Sequence, residues 1–294
     1  MLEYYIPRNN SMKKRPIDSF STQEQQEIID LYLSGKSAYY IATSKNTYPS
    51  YISQILKSKQ ISMRSIKERT FRKYFVDENY FNEMNSNDKF WVLGLLYSDG
   101  YNYTNKNNKN FSLCFHKNDL ECLEKVKSCI KYSGEIKQHN NKNAYYLTVN
   151  SVVMSDKLDE MGCVQAKSFV LKWPNINMNQ EQSWHFLRGI WDGDGSIKLR
   201  KHKGISRRGI KVELSSASLE FLSNVKQFID KIDIKNKIIH TDKTSRCQRL
   251  IINGTYKNSL KFLNMIYSNC GELKMMRKYK EYQEFKEILP EREI

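Results

Sequence analysis

The sequence predicts an α+β protein in which two copies of one helix-and-strand unit follow an all-α segment. Three observations carry that expectation. Val92-Leu93-Gly94-Leu95-Leu96-Tyr97-Ser98-Asp99-Gly100 recurs as Leu187-Arg188-Gly189-Ile190-Trp191-Asp192-Gly193-Asp194-Gly195, which sets Asp99 and Asp194 95 residues apart. Each copy closes an apolar helix and runs into an alternating strand, Tyr101–Thr104 or Ser196–Arg200. The first 70 residues instead show helix caps and helical spacing.

A chain of 294 residues suggests about two units of ordinary size. With 39% hydrophobic residues it can bury a core, which excludes a wholly disordered chain. Its 48 Lys+Arg against 32 Asp+Glu give +16, a balance that favours a polyanionic partner. A membrane is excluded as that partner, because no apolar stretch approaches the ~20 residues of a spanning helix. The N-terminus MLEYYIPRNNSMKKRP has no apolar core of a secretory signal. The six cysteines lack a C-x-x-C pair and read as free thiols of a reducing compartment, so the expected location is cytoplasmic. The charge is uneven: residues 1–70 carry net +5, 71–165 are neutral, 166–270 carry +11 and 271–294 are neutral. The expected division is therefore 1–70, 71–165 and 166–294.

In the N-terminal segment Ser21-Thr22-Gln23-Glu24 is a capping-box pattern opening a helix through Leu33, with Ile28, Leu31 and Tyr32 near one face. Ser34-Gly35-Lys36 breaks it, and a short helix follows over Ser37–Thr43. Pro49 then suits the first position of a third helix through Ile52, Ile55 and Leu56. Three short helices with a tight turn before the last describe a helix-turn-helix, and the stretch resembles such units of recombinases and phage regulators. If it binds DNA, Ser50, Tyr51 and Gln54 lead into a major groove with Lys57 nearer phosphate. The same pattern also fits a plain three-helix module; the local +5 favours DNA.

The repeated helix has its own physical logic. Gly94 and Ser98, like Gly189 and Gly193, lie four residues apart on one face, so two such helices can approach closely. Asp99 and Asp194 then fall at helix C-termini, against the negative end of each dipole. A shared divalent cation would reverse that penalty. A single Asp-Gly could simply mark a helix end. Two copies with matched small residues and matched strands ask for more.

These residues resemble the LAGLIDADG homing endonucleases in their double-motif, single-chain form, as does the lead AKSFVLKWPNINMNQEQSWHFLRGIWDGDGSI. The resemblance covers about residues 80–270. It implies two pseudo-symmetric αββαββα halves, each laying an antiparallel sheet along double-stranded DNA, in a monomer without an obligate protein partner. It also implies that Asp99 and Asp194 bind the catalytic metal, with Gly100 and Gly195 beside them. The implied cofactor is Mg²⁺, with Mn²⁺ substituting and Ca²⁺ binding without cleavage. The motif's earlier acidic position is Tyr97 in the first copy, a departure, and Asp192 in the second. For the basic catalytic residue two candidates stand out: Lys117, with Ser216 as its counterpart, and Lys257.

Strand alternation names the DNA-facing side. In the first half it offers Tyr101, Tyr103, Ser112, Cys114, His116 and Tyr146. In the second it offers Ser196, Lys198, Arg200, Lys211, Glu213, Ser215 and Arg249. Between them runs the basic loop KHKGISRRG, with Lys201, Lys203, Arg207 and Arg208 suited to phosphate. His116, His185 and His202 lack ligand spacing and read as packing or DNA-contact residues. The C-terminal ELKMMRKYKEYQEFKEIL reads as an amphipathic helix packed on the second half, with Arg277 or Lys278 available to DNA.

The expected function is a site-specific, Mg²⁺-dependent endonuclease cutting one phosphodiester per strand. A non-cleaving DNA-binding regulator and an RNA-splicing maturase are the alternatives on the same scaffold. Two retained motif acids favour cutting over regulation, and a helix-turn-helix suits duplex DNA better than A-form RNA.

Overall fold

The computed structural model describes residues 14–34, 36–63, 74–105, 108–200, 209–240, 247–253 and 255–288. The chain divides into two compact units, Met1–Lys73 and Tyr74–Ile294.

In the first unit α1 (Thr22–Leu33), α2 (Ala38–Ser44) and α3 (Pro49–Ser58) enclose a small core of Ile28, Tyr32, Ile41, Ile52 and Leu56. The capping box forms as the sequence predicts: Ser21 Oγ accepts from the Glu24 N–H, and Glu24 accepts from the Ser21 N–H. Ser37 caps α2 through the Tyr40 N–H, so that helix starts one residue beyond the expected Ser37. Pro49 opens α3, where its missing N–H has no intrahelical partner to lose.

The second unit repeats one element order. First come α4 (Asn87–Ser98), β1 (Gly100–Thr104), β2 (Lys109–His116), α5 (Leu120–Cys129), β3 (Lys137–Gln138), β4 (Ala144–Asn150) and α6 (Val152–Glu160). Then come α7 (Gln180–Gly193), β5 (Gly195–Arg200), β6 (Gly209–Ser216), α8 (Leu219–Asp230), β7 (Asn236–His240), β8 (Gln248–Ile252) and α9 (Tyr256–Tyr267). A final helix, α10 (Met276–Ile288), follows. The two antiparallel four-stranded sheets share a strand order, β1-β2-β4-β3 and β5-β6-β8-β7.

Register and burial agree on which face of each sheet is inside. Phe111, Leu113, Phe115, Leu147 and Val149 are buried in the first sheet, and Ile197, Val212, Leu214, Leu250 and Ile252 in the second. Their strand neighbours therefore look away from the core. One continuous hydrophobic core joins both halves, from Val76 to Phe285.

The axis of that core is the contact between α4 and α7. A Cβ on Gly94 would stand 2.2 Å from the Phe186 carbonyl oxygen, and one on Gly189 2.2 Å from that of Trp91. The helices touch backbone to backbone there, and no residue but glycine fits either position. Around that contact Trp91, Trp191 and Phe186 are fully buried.

The C-terminal helix departs from the sequence expectation. Rather than packing on the second half alone, α10 and its lead-in are also bonded to the first: Arg277 donates to Asp119, and the Met276 N–H to Glu121. Of the two residues read from sequence as available to DNA, Lys278 is buried, whereas Arg277 stays exposed while paired with Asp119.

Candidate active site and nucleic-acid interface

Asp99 and Asp194 are the C-caps of α4 and α7, each one residue before the first strand of its sheet. The close crossing of the helices sends both carboxylates to one place. A Cβ on Gly193 would lie 2.3 Å from Asp99 Oδ2 and 1.9 Å from Ser98 Oγ, so the second motif's glycine makes room for the first motif's acid.

The electrostatics match a pair of crowded carboxylates. Burial and then the charge of Asp194 push the Asp99 carboxyl up to about 6. Burial also raises the pKa of Asp194, although that residue presents more of its own surface to solvent. Asp99 Oδ2 is buried without a hydrogen-bond partner in the protein. An orphaned carboxylate oxygen beside a second carboxylate, at two helix C-termini, is a charge arrangement that a hard cation would complete. Among the described residues no three His, Cys, Asp or Glu side chains converge on a metal position. Two carboxylates with the remaining ligands drawn from water and phosphate oxygens is a donor set suited to Mg²⁺. Gly100 and Gly195 open β1 and β5 directly after the acids; the Gly100 carbonyl already accepts from Lys167 Nζ.

The cations acting on these carboxylates are Lys278 and Lys167. Lys278 Nζ, nearly buried, donates to the carbonyls of Trp191, Asp192 and Gly193 at 2.7, 2.6 and 2.8 Å. It thereby satisfies the last-turn acceptors of α7 that a helix leaves open. Burial lowers its pKa to about 8, with Asp192, Asp99 and Asp194 opposing. Lys167 reaches the Gly100 carbonyl, one residue past Asp99. The sequence reading names Lys278 only as available to DNA and does not single out Lys167. Lys117 is exposed in the 3-10 turn after β2, and Lys257 is exposed in the first turn of α9.

The other motif positions tie the halves together. Asp192 is fully buried; its Oδ2 accepts from Trp91 Nε1 at 2.8 Å and from the Met275 N–H at 3.1 Å, and burial raises its pKa to about 6. At the matching place Tyr97 packs edge-on against Phe186 and donates to the Met161 carbonyl at 2.5 Å. The departure from an acid at Tyr97 thus keeps the position's tie while changing its chemistry. His185 is buried, with Arg188 Nη2 2.6 Å from Nδ1, and burial with that cation lowers its pKa to about 4.

The sheet faces carry the remaining candidates. On the first, Tyr101 pairs with Ser112 and Cys114 with Tyr146, and the Tyr101 and Tyr103 rings stack at 6.3 Å. His116 ends that row, exposed. On the second, Ser196 pairs with Glu213, Lys198 with Lys211 and Ser215 with Arg249. Glu213 is bridged by Lys211 at 2.5 Å and Arg249 at 3.4 Å, which holds two cations in the plane of the face. Lys201, Lys203, Arg207, Arg208 and His202 lie outside the described residues, and of Arg200 only its place in β5 is described. In the first unit Ser50, Gln54 and Lys57 are exposed on α3, and Tyr51 is half-buried against the Tyr48 ring. No described helix is long and apolar enough to cross a membrane.

Comparison with known proteins adds a family likeness. Residues 181–266, from α7 into α9, match the model of a LAGLIDADG-like domain. No curated protein matches the chain. Among solved structures, mesophilic variants of the homing endonuclease I-DmoI are similar at 16% identity and TM-score 0.44, over 62% of this chain and 96% of that one. The meganuclease I-SmaMI, bound to uncleavable DNA, is similar at 15% identity and TM-score 0.47, over 67% and 88%. The LAGLIDADG homing endonuclease I-LtrWI, bound to target DNA, is similar at 13% identity and TM-score 0.46, over 72% and 90%. I-DmoI has also been solved in complex with DNA and Mn, and with DNA and Ca. The second half of this chain is thus similar to a LAGLIDADG-like domain.

Proposed function

We propose that the protein is a site-specific, divalent-metal-dependent DNA endonuclease that cuts one phosphodiester in each strand of a long target. The observation carrying this reading is the meeting of Asp99 and Asp194 at the ends of two helices in glycine contact, with Asp99 Oδ2 left unpartnered. A non-cleaving regulator would have no use for two carboxylates held against helix dipoles.

Asp99 and Asp194 would hold the cations, Mg²⁺ by preference, with Mn²⁺ able to replace it and Ca²⁺ binding without cutting. When bound, the metal supplies charge stabilisation at the phosphate and a nucleophilic water at neutral pH. Lys278 and Lys167, bonded to the carbonyls around both acids, reduce the negative potential there, beside the basic role that the resemblance offers to Lys117 and Lys257. The outward sheet faces grip the duplex, the first through Tyr101, Tyr103, Ser112, His116 and Tyr146, the second through Ser196, Lys198, Arg200, Lys211, Glu213 and Arg249. The two halves act as pseudo-symmetric partners within a monomer. The N-terminal unit adds a helix-turn-helix contact through Ser50, Tyr51, Gln54 and Lys57.

Cleavage selection from a randomised duplex library with Mg²⁺ tests the reading and maps the ends. Asp194→Asn should abolish cutting of its strand and leave binding in Ca²⁺ intact; undiminished cutting would defeat the metal assignment. Removing residues 1–73 should weaken binding and flatten its salt dependence. An unchanged slope would deny the N-terminal unit a phosphate contact.

A further inference from the structure

Two segments follow the last helix of each repeat, α6 and α9, and each is gripped by a helix of the other repeat. After α9, the run 273–278 carries Lys278 to the end of α7. It is held by α5 of the first half and the residue just before it: Asp119 accepts from Arg277 Nε and Nη2, both at 3.0 Å, Glu121 from the Met276 N–H at 3.1 Å, and Lys125 donates to the Lys274 carbonyl at 2.7 Å. After α6, the run 167–173 carries Lys167 to Gly100. It is held by α8 of the second half, from the matching positions. Ser218 Oγ donates to the Leu171 carbonyl at 2.6 Å, Glu220 pairs with Lys172 at 3.1 Å, and Asn224 accepts from the Trp173 N–H at 3.1 Å.

Asp119 and Ser218 are the N-caps of α5 and α8, Glu121 and Glu220 follow by two residues, and Lys125 and Asn224 by six. The exchange is therefore reciprocal at the same three anchoring positions, although the straps pass them in opposite directions, Arg277, Met276, Lys274 along α5 and Leu171, Lys172, Trp173 along α8. Chance surface contacts would not repeat at three matched sites.

We propose that these crossed straps make each half set the other's motif carboxylate, and that Asp119 and Arg277 are the positioning residues for the Asp194 centre. Asp119 fixes Arg277, and the next residue, Lys278, fixes the last three carbonyls of α7 from which Asp194 extends. The first repeat thus positions the backbone of the second centre, and the second repeat, through Ser218, Glu220 and Asn224, that of the first, while the charge of each lysine bears on both carboxylates. The Asp119–Arg277 link is the stronger of the two, two charge-assisted bonds with planar geometry against neutral bonds and one exposed ion pair.

The inference about cutting rests on the endonuclease reading, but the strap itself does not, and two measurements separate them. Acylation of the full chain by an amine-reactive ester, read by mass spectrometry, reports how well each lysine is held. Asp119→Asn should raise the reactivity of Lys278 about tenfold while Lys167 stays protected, since a lost charged bond is worth about that factor. Arg277→Gln, made at the exposed end of the pair, should do the same, and Asp119→Glu should restore protection. Glu220→Gln combined with Asn224→Ala should release Lys167 and leave Lys278 protected. Equal release of both lysines in either set, or protection of Lys278 in Asp119→Asn, overturns the proposal. On a plasmid carrying the site the wild-type protein selects, Asp119→Asn should accumulate nicked circles at least tenfold over linear product. Linear product at the wild-type rate would overturn the proposal too. A wild-type protein that cuts no duplex defeats the endonuclease reading and leaves the lysine result standing.

Discussion

The two sheets have the same strand order, yet their outward faces carry different chemistry. The outward face of the first is built mainly on tyrosines and small polar groups, Tyr101, Tyr103, Ser112, Tyr146 and Thr148, with Lys137 at its edge. That of the second presents Lys198, Lys211, Lys237 and Arg249, with Glu213 placed among them. The sequence already concentrates the charge, neutral over 71–165 and +11 over 166–270. Under the proposed endonuclease function, a shared backbone would then hold two grips, one for shape and base edges and one for phosphate.

Salt titration breaks this comparison most decisively. Removing Lys198, Lys211 and Arg249 together by alanine should flatten the log–log salt slope by about 2.7 and cost about a hundredfold in affinity at 0.15 M salt. Tyr101, Tyr103 and Tyr146 replaced together by phenylalanine or alanine should weaken binding about tenfold with the slope unchanged. Filter binding or fluorescence anisotropy across salt concentrations checks both. Equal slope changes for the two triples would mean that both faces hold phosphate alike.

Much of this was legible in the sequence because it obeys local rules. The capping box at Ser21, the small residues at Gly94 and Gly189, and the period-two burial of Phe111–Phe115 each follow from spacing alone. Lys167 and Lys278 were not, since each is brought to its acid by a segment crossing between halves, at a different distance along the chain from its motif. One signal existed: Lys278 lies on the same helix stripe as Met275, Tyr282 and Phe285, all buried. A lysine on an apolar stripe must find partners inside, and here it finds three carbonyls. Asp192 likewise reads as a motif acid, whereas its complete burial against Trp91 and Met275 makes it a tie between segments.

The centres should also differ in how pH reaches them. Asp99 is half-buried with its pKa near 6, whereas Asp194 is more open to solvent. In strand-resolved cutting at limiting Mg²⁺, the strand depending on Asp99 should lose rate first as pH falls through about 6. Simultaneous loss on both strands would show that the pair titrates as one unit.

The smallest effect concerns the metal-free protein and carries the comparison into stability. The Asp99 carboxyl moves from 3.8 to about 6 on folding, so the folded state holds its proton more tightly than the unfolded chain does. Such a group leaves stability undiminished below about pH 4 and erodes it as pH rises to about 6, above which the cost is complete. At pH 7 without metal, Asp99→Asn should therefore raise stability by about 1–2 kcal/mol, a few degrees in Tm. The gain should vanish below about pH 4, where the wild-type carboxyl is neutral as well. Asp194→Asn should gain less, because water already screens that carboxylate. Added Ca²⁺ should close the gap from the other side by stabilising only the wild type, since a ligand bound to the folded state alone raises its stability. Thermal melts of the three proteins at pH 4, 5.5 and 7, with and without Ca²⁺, compare these directly. A gain at Asp194 equal to that at Asp99 would mean that crowding by the facing helix, rather than access to water, sets the strain in both centres.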